Sequence, residues 1–187
     1  LDARGEREGK HLPLLIRLAG DLRENLQLGL DPATWVREGL VDYLIPSSPM
    51  RMISFDMPLA EWGPLVEGTD VEVHVSPDSG APRGDGQATL EMYRAAASNY
   101  YQMGVDGFYF FNLFCRAYPL DDAAYAIMAQ ASHPAALTRQ AKHYLATYEN
   151  WRDDADTLPV TLDEVGRPGR VGFYVGGFCP GTAVVAL

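Results

Sequence analysis

One pattern recurs three times along this 187-residue chain and limits the folds open to it. In each copy a helix-like stretch ends at a glycine, an aspartate follows within three residues, and a short apolar strand begins. The glycines are Gly39, Gly68 and Gly104. Glycine suits the left-handed position just past a helix end, and runs rich in Val, Ile, Tyr and Phe are typical of buried parallel strands. The pattern predicts helices that alternate with parallel strands.

An apolar run over residues 12–18 precedes the three copies, so four strands are expected to begin near residues 12, 42, 70 and 106. Their spacing of about 30 residues is what a βαβ unit requires. Helices are predicted between them over residues 32–38, 59–67 and 89–103. Asp31 followed by Pro32 signals a helix start, because aspartate caps a first turn and proline fits its first position.

The pattern of predicted helices and strands changes after the fourth strand. A long helical region is predicted over residues 120–148, interrupted near His133 and Pro134. Strand-like runs over 158–162, 171–175 and 183–185 then alternate with glycine- and proline-rich turn signals, which predicts antiparallel β structure. A boundary near residues 151–156 gives the predicted domains 1–150 and 151–187.

Alternating β and α elements indicate an α/β fold with a parallel sheet covered by helices. Two architectures fit this order, a doubly wound sheet and the C-terminal half of a (β/α)8 TIM barrel. The sequence opens inside a charged helix-like stretch, and a β-rich region follows the last helix. Both features favour the half-barrel followed by the start of a β-sandwich, so we expect a segment of a longer protein.

Charge and motifs exclude several function classes. Fifteen Lys and Arg against 25 Asp and Glu give a net charge of −10, which argues against a nucleic-acid partner and an anionic membrane surface. The sequence has no HExxH motif, no paired histidines and no CxxC, and Cys115 and Cys179 lie far apart. No metal site and no cofactor is therefore predicted. No signal-peptide pattern opens the sequence, and localisation is left open, with periplasmic or secreted placement considered for a longer parent.

In both architectures ligands bind beyond the carboxyl ends of the strands. The long loops also lie there, whereas the opposite turns are short Gly–Asp links, which indicates the functional face. Asp42, Asp70 and Asp106 lie on that opposite side and are read as turn or cap residues. His74 alternates with Val residues on the third strand and is either structural or substrate-binding. The polar residues that follow the strands are Arg17, Asp21, Ser47, Ser48, Asp56, Ser76, Asp78, Ser79, Asn112, Cys115 and Arg116.

These carboxylates, hydroxyls, amide and aromatic groups suit carbohydrate chemistry. The runs LIRLAGDLRENLQLGLDPATWVREGLVDYLIPS, DMPLAEWGPLVEGTDVEVHVSPD and MYRAAASNYYQMGVDGFYFFNLF resemble the C-terminal half of a bacterial group of glycosyl-hydrolase-like barrel proteins related to family-ten glycosidases. The resemblance covers about residues 1–150. It implies that the four strands are the fifth to eighth of a (β/α)8 barrel, and that LPVTL onward begins a β-sandwich.

The resemblance also implies which residue is catalytic. In retaining glycosidases of this type the acid/base carboxylate follows the fourth strand, and the nucleophile ends the seventh. The first carboxylate after the corresponding strand here is Asp78, where similar proteins tend to carry Glu. The acid/base residue would lie upstream of Leu1, so this chain is expected to be inactive alone, and the activity of the parent is left open.

Three functions stay open at this point. The chain belongs to a barrel that acts on glycosidic bonds of a polysaccharide or glycoconjugate, to a non-catalytic carbohydrate-binding or scaffold barrel, or to a flavodoxin-like module that binds an anion near Ser47. Its expected partners are a carbohydrate and either a missing N-terminal half-barrel or a second copy. A single concavity is expected to gather Arg17, Ser47, Asp78 and Asn112, with Asp21, Asp56 and His74 as further substrate-binding residues.

Overall fold

The computed structural model describes residues 2–48, 53–55, 57–80, 87–113, 119–138, 140–148, 170–175 and 182–186. A 3-10 turn over Leu59–Glu61 precedes α4. The helices and strands of these ranges follow one another as α1 (Asp2–Glu8), β1 (Leu15–Ala19), α2 (Leu22–Gln27), α3 (Pro32–Arg37), β2 (Tyr43–Ser47), α4 (Trp62–Val66), β3 (Glu72–Val75), α5 (Leu90–Gln102), β4 (Gly107–Phe108), α6 (Asp122–Ala131), α7 (Pro134–Leu137), β5 (His143–Tyr148), β6 (Arg170–Val175) and β7 (Thr182–Ala186).

Strands β1 to β4 form one sheet in the order β1-β2-β3-β4, and every neighbouring pair is parallel. Each strand begins one to three residues later than the sequence predicts, at residues 15, 43, 72 and 107. In the register of the sheet, Tyr43 lies between Leu15 and Glu72, and His74 lies opposite Gly107. The predicted α/β fold with four parallel strands flanked by helices is confirmed.

The returns from helix to strand depend on glycine, as predicted. Gly39, Gly68 and Gly104 have φ values of 66°, 76° and 90°. In this left-handed region a Cβ atom would crowd the backbone, so only glycine ends the helix at little cost. The chain can therefore reverse within a few residues and enter the next strand.

Two aspartates at these returns bind the backbone of an earlier segment. Oδ2 of Asp42, which lies just before β2, accepts a hydrogen bond of 2.6 Å from the Leu14 amide. Oδ2 of Asp106 accepts one of 2.9 Å from the Val73 amide in β3. Their interpretation as structural residues is confirmed. Asp70 is exposed, and its side chain makes no hydrogen bond within the described ranges.

Helix starts follow the capping signals in the sequence. Oδ1 of Asp31 accepts the Thr34 amide at 3.0 Å, and Pro32 occupies the first position of α3. The Thr34 hydroxyl, which donates to Oδ2 of Asp31, and the Thr34 amide together lower the pKa of Asp31. Among the helices that the structure describes, none combines the length and the apolar character that a membrane crossing requires.

The main apolar core lies on one face of the sheet. Leu18, Leu44, Val73 and Val75 alternate along β1, β2 and β3 and share a single cluster with the helices. The helical members of this cluster include Val36, Trp62, Met92, Tyr93, Ala95, Ala96 and Tyr100. Successive side chains of a strand point to opposite faces, so helices α3, α4 and α5 cover the face that carries Leu44, and Arg17 and His74 lie on the other.

The face away from the helices is concave. Strands β1 and β4 are the outer strands of the sheet, about 14 Å apart if the sheet were flat, because neighbouring strands lie about 4.8 Å apart. The guanidinium carbon of Arg17 on β1 nevertheless lies 3.8 Å from the ring centre of Phe111, three residues after β4. The two side chains bridge the sheet on the face away from the helices, which suits a sheet that curls toward that face. Ile45 on β2, next to Arg17 in register, is accordingly only 2% exposed although it lies outside the helix-side cluster.

A second sheet has the order β5-β6-β7. The antiparallel pairing of β6 with β7 agrees with the predicted runs over 171–175 and 183–185, whereas β5 pairs with β6 in parallel. The prediction of helix over 120–148 is confirmed for α6 and α7, with the break at His133, and is wrong for β5. β5 is a strand because it pairs with β6, more than 20 residues away. The local sequence pattern does not indicate such a long-range pairing. The run over 158–162 lies outside the described residues.

Replacing Asp42 by Asn tests the link between β2 and the start of β1. The Leu14 hydrogen bond lowers the pKa of Asp42, burial opposes this less strongly, and His11 adds to the lowering. An aspartate is unperturbed near pH 3.9 in the unfolded chain, so this stabilisation is complete above that pH and is lost as the pH falls through the lower folded pKa. We expect D42N to reduce the free energy of unfolding by about 1–2 kcal/mol at pH 7, measured by urea denaturation. Below about pH 4 the free energy of unfolding should fall less steeply in D42N than in the wild type.

The matched control is D70N, which alters an exposed aspartate at the equivalent turn. It should change the free energy of unfolding by less than about 0.5 kcal/mol at either pH. Equal effects of D42N and D70N, or an unchanged acid profile in D42N, would contradict the role assigned to Asp42.

Candidate functional site

The carboxyl ends of β1, β2 and β3 bring three small residues side by side. Ala19 lies opposite Ser47, and Ser47 forms an isolated parallel bridge with Ser76. The Tyr109 amide donates to the Val75 carbonyl at 2.9 Å, which continues this row to the end of β4. On the concave face, Arg17, Ile45 and His74 form the row beneath. Three of the four residues in this upper row are therefore small, at the edge where parallel α/β sheets bind ligands.

Ser76 and Ser47 are both buried but differ in their hydrogen bonds. Ser47 is 3% exposed, and its hydroxyl donates to the Ile45 carbonyl at 3.2 Å. Ser76 is 1% exposed, and its hydroxyl has no hydrogen-bond partner among the described residues. The backbone of Ser76 is fully used, since its amide donates to Pro46 and its carbonyl accepts from Ser48. Only the hydroxyl of Ser76 is left without a partner.

Asp78 lies two residues beyond Ser76 and is half-buried. Its Oδ1 accepts a hydrogen bond of 2.6 Å from the Ser79 amide, and Oδ2 has no partner in the described part of the chain. The backbone that follows is anchored, because the Ser79 carbonyl accepts from the Ala88 amide and the Gly80 carbonyl from the Ile53 amide. The carboxylate is therefore held close to the strand end with one oxygen available.

Arg17 reaches the carboxyl end of the sheet through its contact with Phe111. It is exposed, and within the residues that the structure describes no carboxylate pairs with its guanidinium. Asn112, which follows Phe111, is half-buried and has a φ of 54°. Asparagine is among the few residues that tolerate the left-handed region, and backbone strain of this kind clusters at functional sites.

His74 lies in the row beneath Ser76 and has protein partners. Its Nε2 donates to Oε2 of Glu72 at 2.7 Å, and its ring meets the Tyr43 ring edge-on with centroids 5.1 Å apart. Gly107 makes room for this ring, because a Cβ atom at that position would lie 3.0 Å from the imidazole. These contacts account for the position of His74 without a ligand.

Asp21 caps a helix that the sequence does not reveal. Its side chain accepts the Arg23 amide at 2.7 Å and a guanidinium nitrogen of Arg23 at 3.2 Å, at the start of α2. Burial raises the pKa of Asp21, but the hydrogen bonds and charge of Arg23 outweigh it and lower the pKa overall. The remaining predicted residues Asp56, Cys115, Arg116 and Cys179 lie outside the described residues.

Asn25 is a residue of this edge that the sequence analysis misses. It is fully buried in α2, and its side-chain oxygen accepts the Ala19 amide at 3.0 Å. Its side-chain nitrogen donates to the carbonyls of Ala19 and Asp21, each at 2.9 Å. Asn25 therefore satisfies both backbone groups of Ala19 and fixes the turn from β1 into α2. Its position four residues after Asp21, within a polar helix, gives only a weak signal in the sequence.

Asn25→Ala removes all three of these hydrogen bonds and leaves backbone groups without partners. We expect it to reduce the free energy of unfolding by about 2–4 kcal/mol, measured by urea denaturation. The control is Gln27→Ala, an exposed position in the same helix, with an expected effect below about 0.5 kcal/mol. An effect of Asn25→Ala as small as that of the control would show that the turn does not depend on this amide.

Within the described ranges, no group of three or more His, Cys, Asp or Glu residues could hold a metal ion. No protein-family model and no curated protein sequence matches the chain. The site is a parallel sheet whose carboxyl edge carries buried hydroxyls, one anchored carboxylate and an arginine stacked on an aromatic ring.

Proposed function

We propose that the chain forms the C-terminal half of a (β/α)8 barrel of the glycoside-hydrolase-like kind, and that the carboxyl edge of its sheet binds carbohydrate. The observation that carries the proposal is the contact of Arg17 with Phe111 across the concave face. In a barrel, side chains of strands on opposite sides meet in the interior in this way. Helices on one face and a sequential strand order add support, because a flavodoxin-like sheet has helices on both faces and a reversal of strand order.

The residues at the edge suit an uncharged, hydroxyl-rich ligand. Ser47 and Ser76 offer hydroxyls, Asn112 an amide, and Asp78 a carboxylate oxygen that can accept from a sugar hydroxyl. Aromatic rings such as Phe111 pack against the apolar faces of sugar rings. A net charge of −10 disfavours a polyanionic ligand over a neutral one.

In the catalytic form of this proposal, Asp78 is the nucleophile of a retaining glycosidase. Its carboxylate attacks the anomeric carbon while a second carboxylic acid, from the part of the barrel upstream of this chain, protonates the leaving oxygen. Water then hydrolyses the glycosyl ester and returns the carboxylate and the proton to their starting groups. Aspartate is one methylene shorter than the glutamate of similar proteins, so its reach to the anomeric carbon is the point on which catalysis depends.

A non-catalytic carbohydrate-binding barrel is the second candidate, and the short side chain of Asp78 favours it, because a misplaced nucleophile can still bind a sugar hydroxyl. Asp21, another carboxylate near this edge in the described part of the chain, is engaged by Arg23. Its engagement fits both forms, since the catalytic form takes its second carboxylate from elsewhere. On either form of the proposal, this chain alone binds sugars and does not hydrolyse them.

Asp78→Asn tests the binding role of the carboxylate. A hydrogen bond to a charged group contributes more than one between neutral groups, so the variant should bind its best disaccharide about tenfold or more weakly. The measurement is an NMR titration of the 187-residue chain with cellobiose, maltose and diacetylchitobiose. D70N is the matched control, and its affinity should equal that of the wild type.

Three results would contradict the proposal. If the wild-type chain binds none of the three disaccharides, the carbohydrate function fails. If D78N binds as the wild type does, Asp78 has no role in the site. If the chain hydrolyses any of the three disaccharides, whose leaving sugar oxygen must be protonated, a second catalytic carboxylate lies within this chain, and its assignment to an upstream segment is wrong.

The half-barrel architecture makes a separate prediction about association. Strands β1 and β4 have no further strand paired to their outer edges within the described residues, and exposed edges of this kind promote pairing with another chain. Size-exclusion chromatography with light scattering should show the isolated chain as a dimer or a larger species at micromolar concentration. A stable monomer across a hundredfold range of concentration would contradict the half-barrel.

A further inference from the structure

We infer that Ser76 is a ligand-binding residue whose hydroxyl hydrogen-bonds a hydroxyl group of a neutral, polyhydroxylated ligand. The inference deepens the proposed carbohydrate function and rests on it. Ser76 is one of several polar residues that follow the strands, and no sequence feature separates it from Ser47 or Ser79. The distinction comes from its surroundings in the folded chain.

The hydroxyl of Ser76 is buried. Ser76 is 1% exposed, and its Oγ is the one buried side-chain oxygen at this edge that lacks a hydrogen-bond partner among the described residues. Native proteins satisfy the great majority of buried polar atoms, because leaving one unsatisfied is unfavourable. A hydroxyl in this state at a binding edge indicates a partner that arrives from outside the chain.

The side chain of Ser76 lies on the face of the sheet away from the helices. Glu72, His74 and Ser76 alternate with Val73 and Val75, and the two valines pack into the helix-side core. Ser76 therefore faces the concave side, in the upper row with Ala19 and Ser47. Asp78 follows on the same loop, so a ligand hydroxyl that reaches Ser76 lies close to the backbone that carries the carboxylate.

Ser76 and Ser47 use their hydroxyls differently. The hydroxyl of Ser47 donates to the Ile45 carbonyl two residues earlier in its own strand. Ser76 occupies the equivalent position in β3 but makes no such bond to the carbonyl of His74. Its hydroxyl can consequently both donate and accept, which matches a sugar hydroxyl, itself a donor and an acceptor. An anion would use only the donor.

Two substitutions separate ligand binding from a structural role. Ser76→Ala removes the hydroxyl, and Ser76→Cys keeps nearly the same volume with a much weaker hydrogen-bonding group. Because the hydroxyl has no internal partner in the described chain, both variants should keep the melting temperature of the wild type or raise it. Both should bind the disaccharide preferred by the wild type about three- to tenfold more weakly in NMR titration. Ser132→Ala, an exposed serine at the end of α6, is the control and should alter neither measurement.

The outcomes distinguish this inference from the proposed function. Unchanged disaccharide affinity in both Ser76 variants overturns the inference and leaves the proposed function standing. Absence of wild-type binding to cellobiose, maltose and diacetylchitobiose overturns both. A melting temperature lowered in both Ser76 variants, the volume-conserving one included, assigns the hydroxyl a structural role and overturns the inference. Tighter binding of inorganic phosphate than of any disaccharide, lost in the Ser76 variants, overturns the neutral character of the ligand.

Discussion

The short return from each helix to the next strand is the constraint on which this structure depends. A left-handed glycine ends the helix, and at two of the three returns an aspartate then binds a backbone amide of the preceding strand region. These hydrogen bonds tie the start of β2 to the segment before β1, and the start of β4 to β3, in a sheet whose four parallel strands follow one another in sequential order. With the order settled, all four carboxyl ends lie at one edge, and the longer loops gather there.

The curl of the sheet then determines what that edge can do. Helices pack on one face, so the other face is left to side chains of the strands themselves. There, Arg17 meets Phe111 across the sheet, Ile45 is buried beside Arg17 in register, and His74 is held by Glu72. The next row holds Ala19, Ser47 and Ser76 on the first three strands and Tyr109 after β4.

The sequence predicts the parts of this fold that local chemistry determines. Helix ends at glycine, a helix start at Asp31 and strands of β-branched and aromatic residues are all local signals, and the structure agrees with them within a few residues. Two elements are not predicted from the sequence, one because it is short and the other because its partner is distant. Helix α2 is only six residues long, too short to show a periodic pattern, and β5 is a strand because it pairs with β6, far away in the chain.

The candidate site is predictable to a smaller degree. The rule that ligands bind at carboxyl ends identifies Ser47, Asp78 and Asn112 as residues of one edge, without reference to their side-chain partners. Which polar groups find partners depends on tertiary contacts, so the engagement of Asp21 by Arg23 and the unpartnered hydroxyl of Ser76 are visible only in the folded chain. The same holds for Asn25, whose three hydrogen bonds depend on the exact turn between β1 and α2.

The sequential order of the sheet has a consequence for how the chain acquires its structure during synthesis. Each new strand pairs with the strand that the ribosome released just before it, so the edge onto which it adds is already present. Contacts between neighbours in sequence close short loops and form rapidly compared with pairings of distant segments, and elongation at about 5–20 residues per second gives each unit of about 30 residues a second or more to fold before the next appears. The sheet can grow strand by strand from its amino-terminal side, whereas β5 must wait for β6.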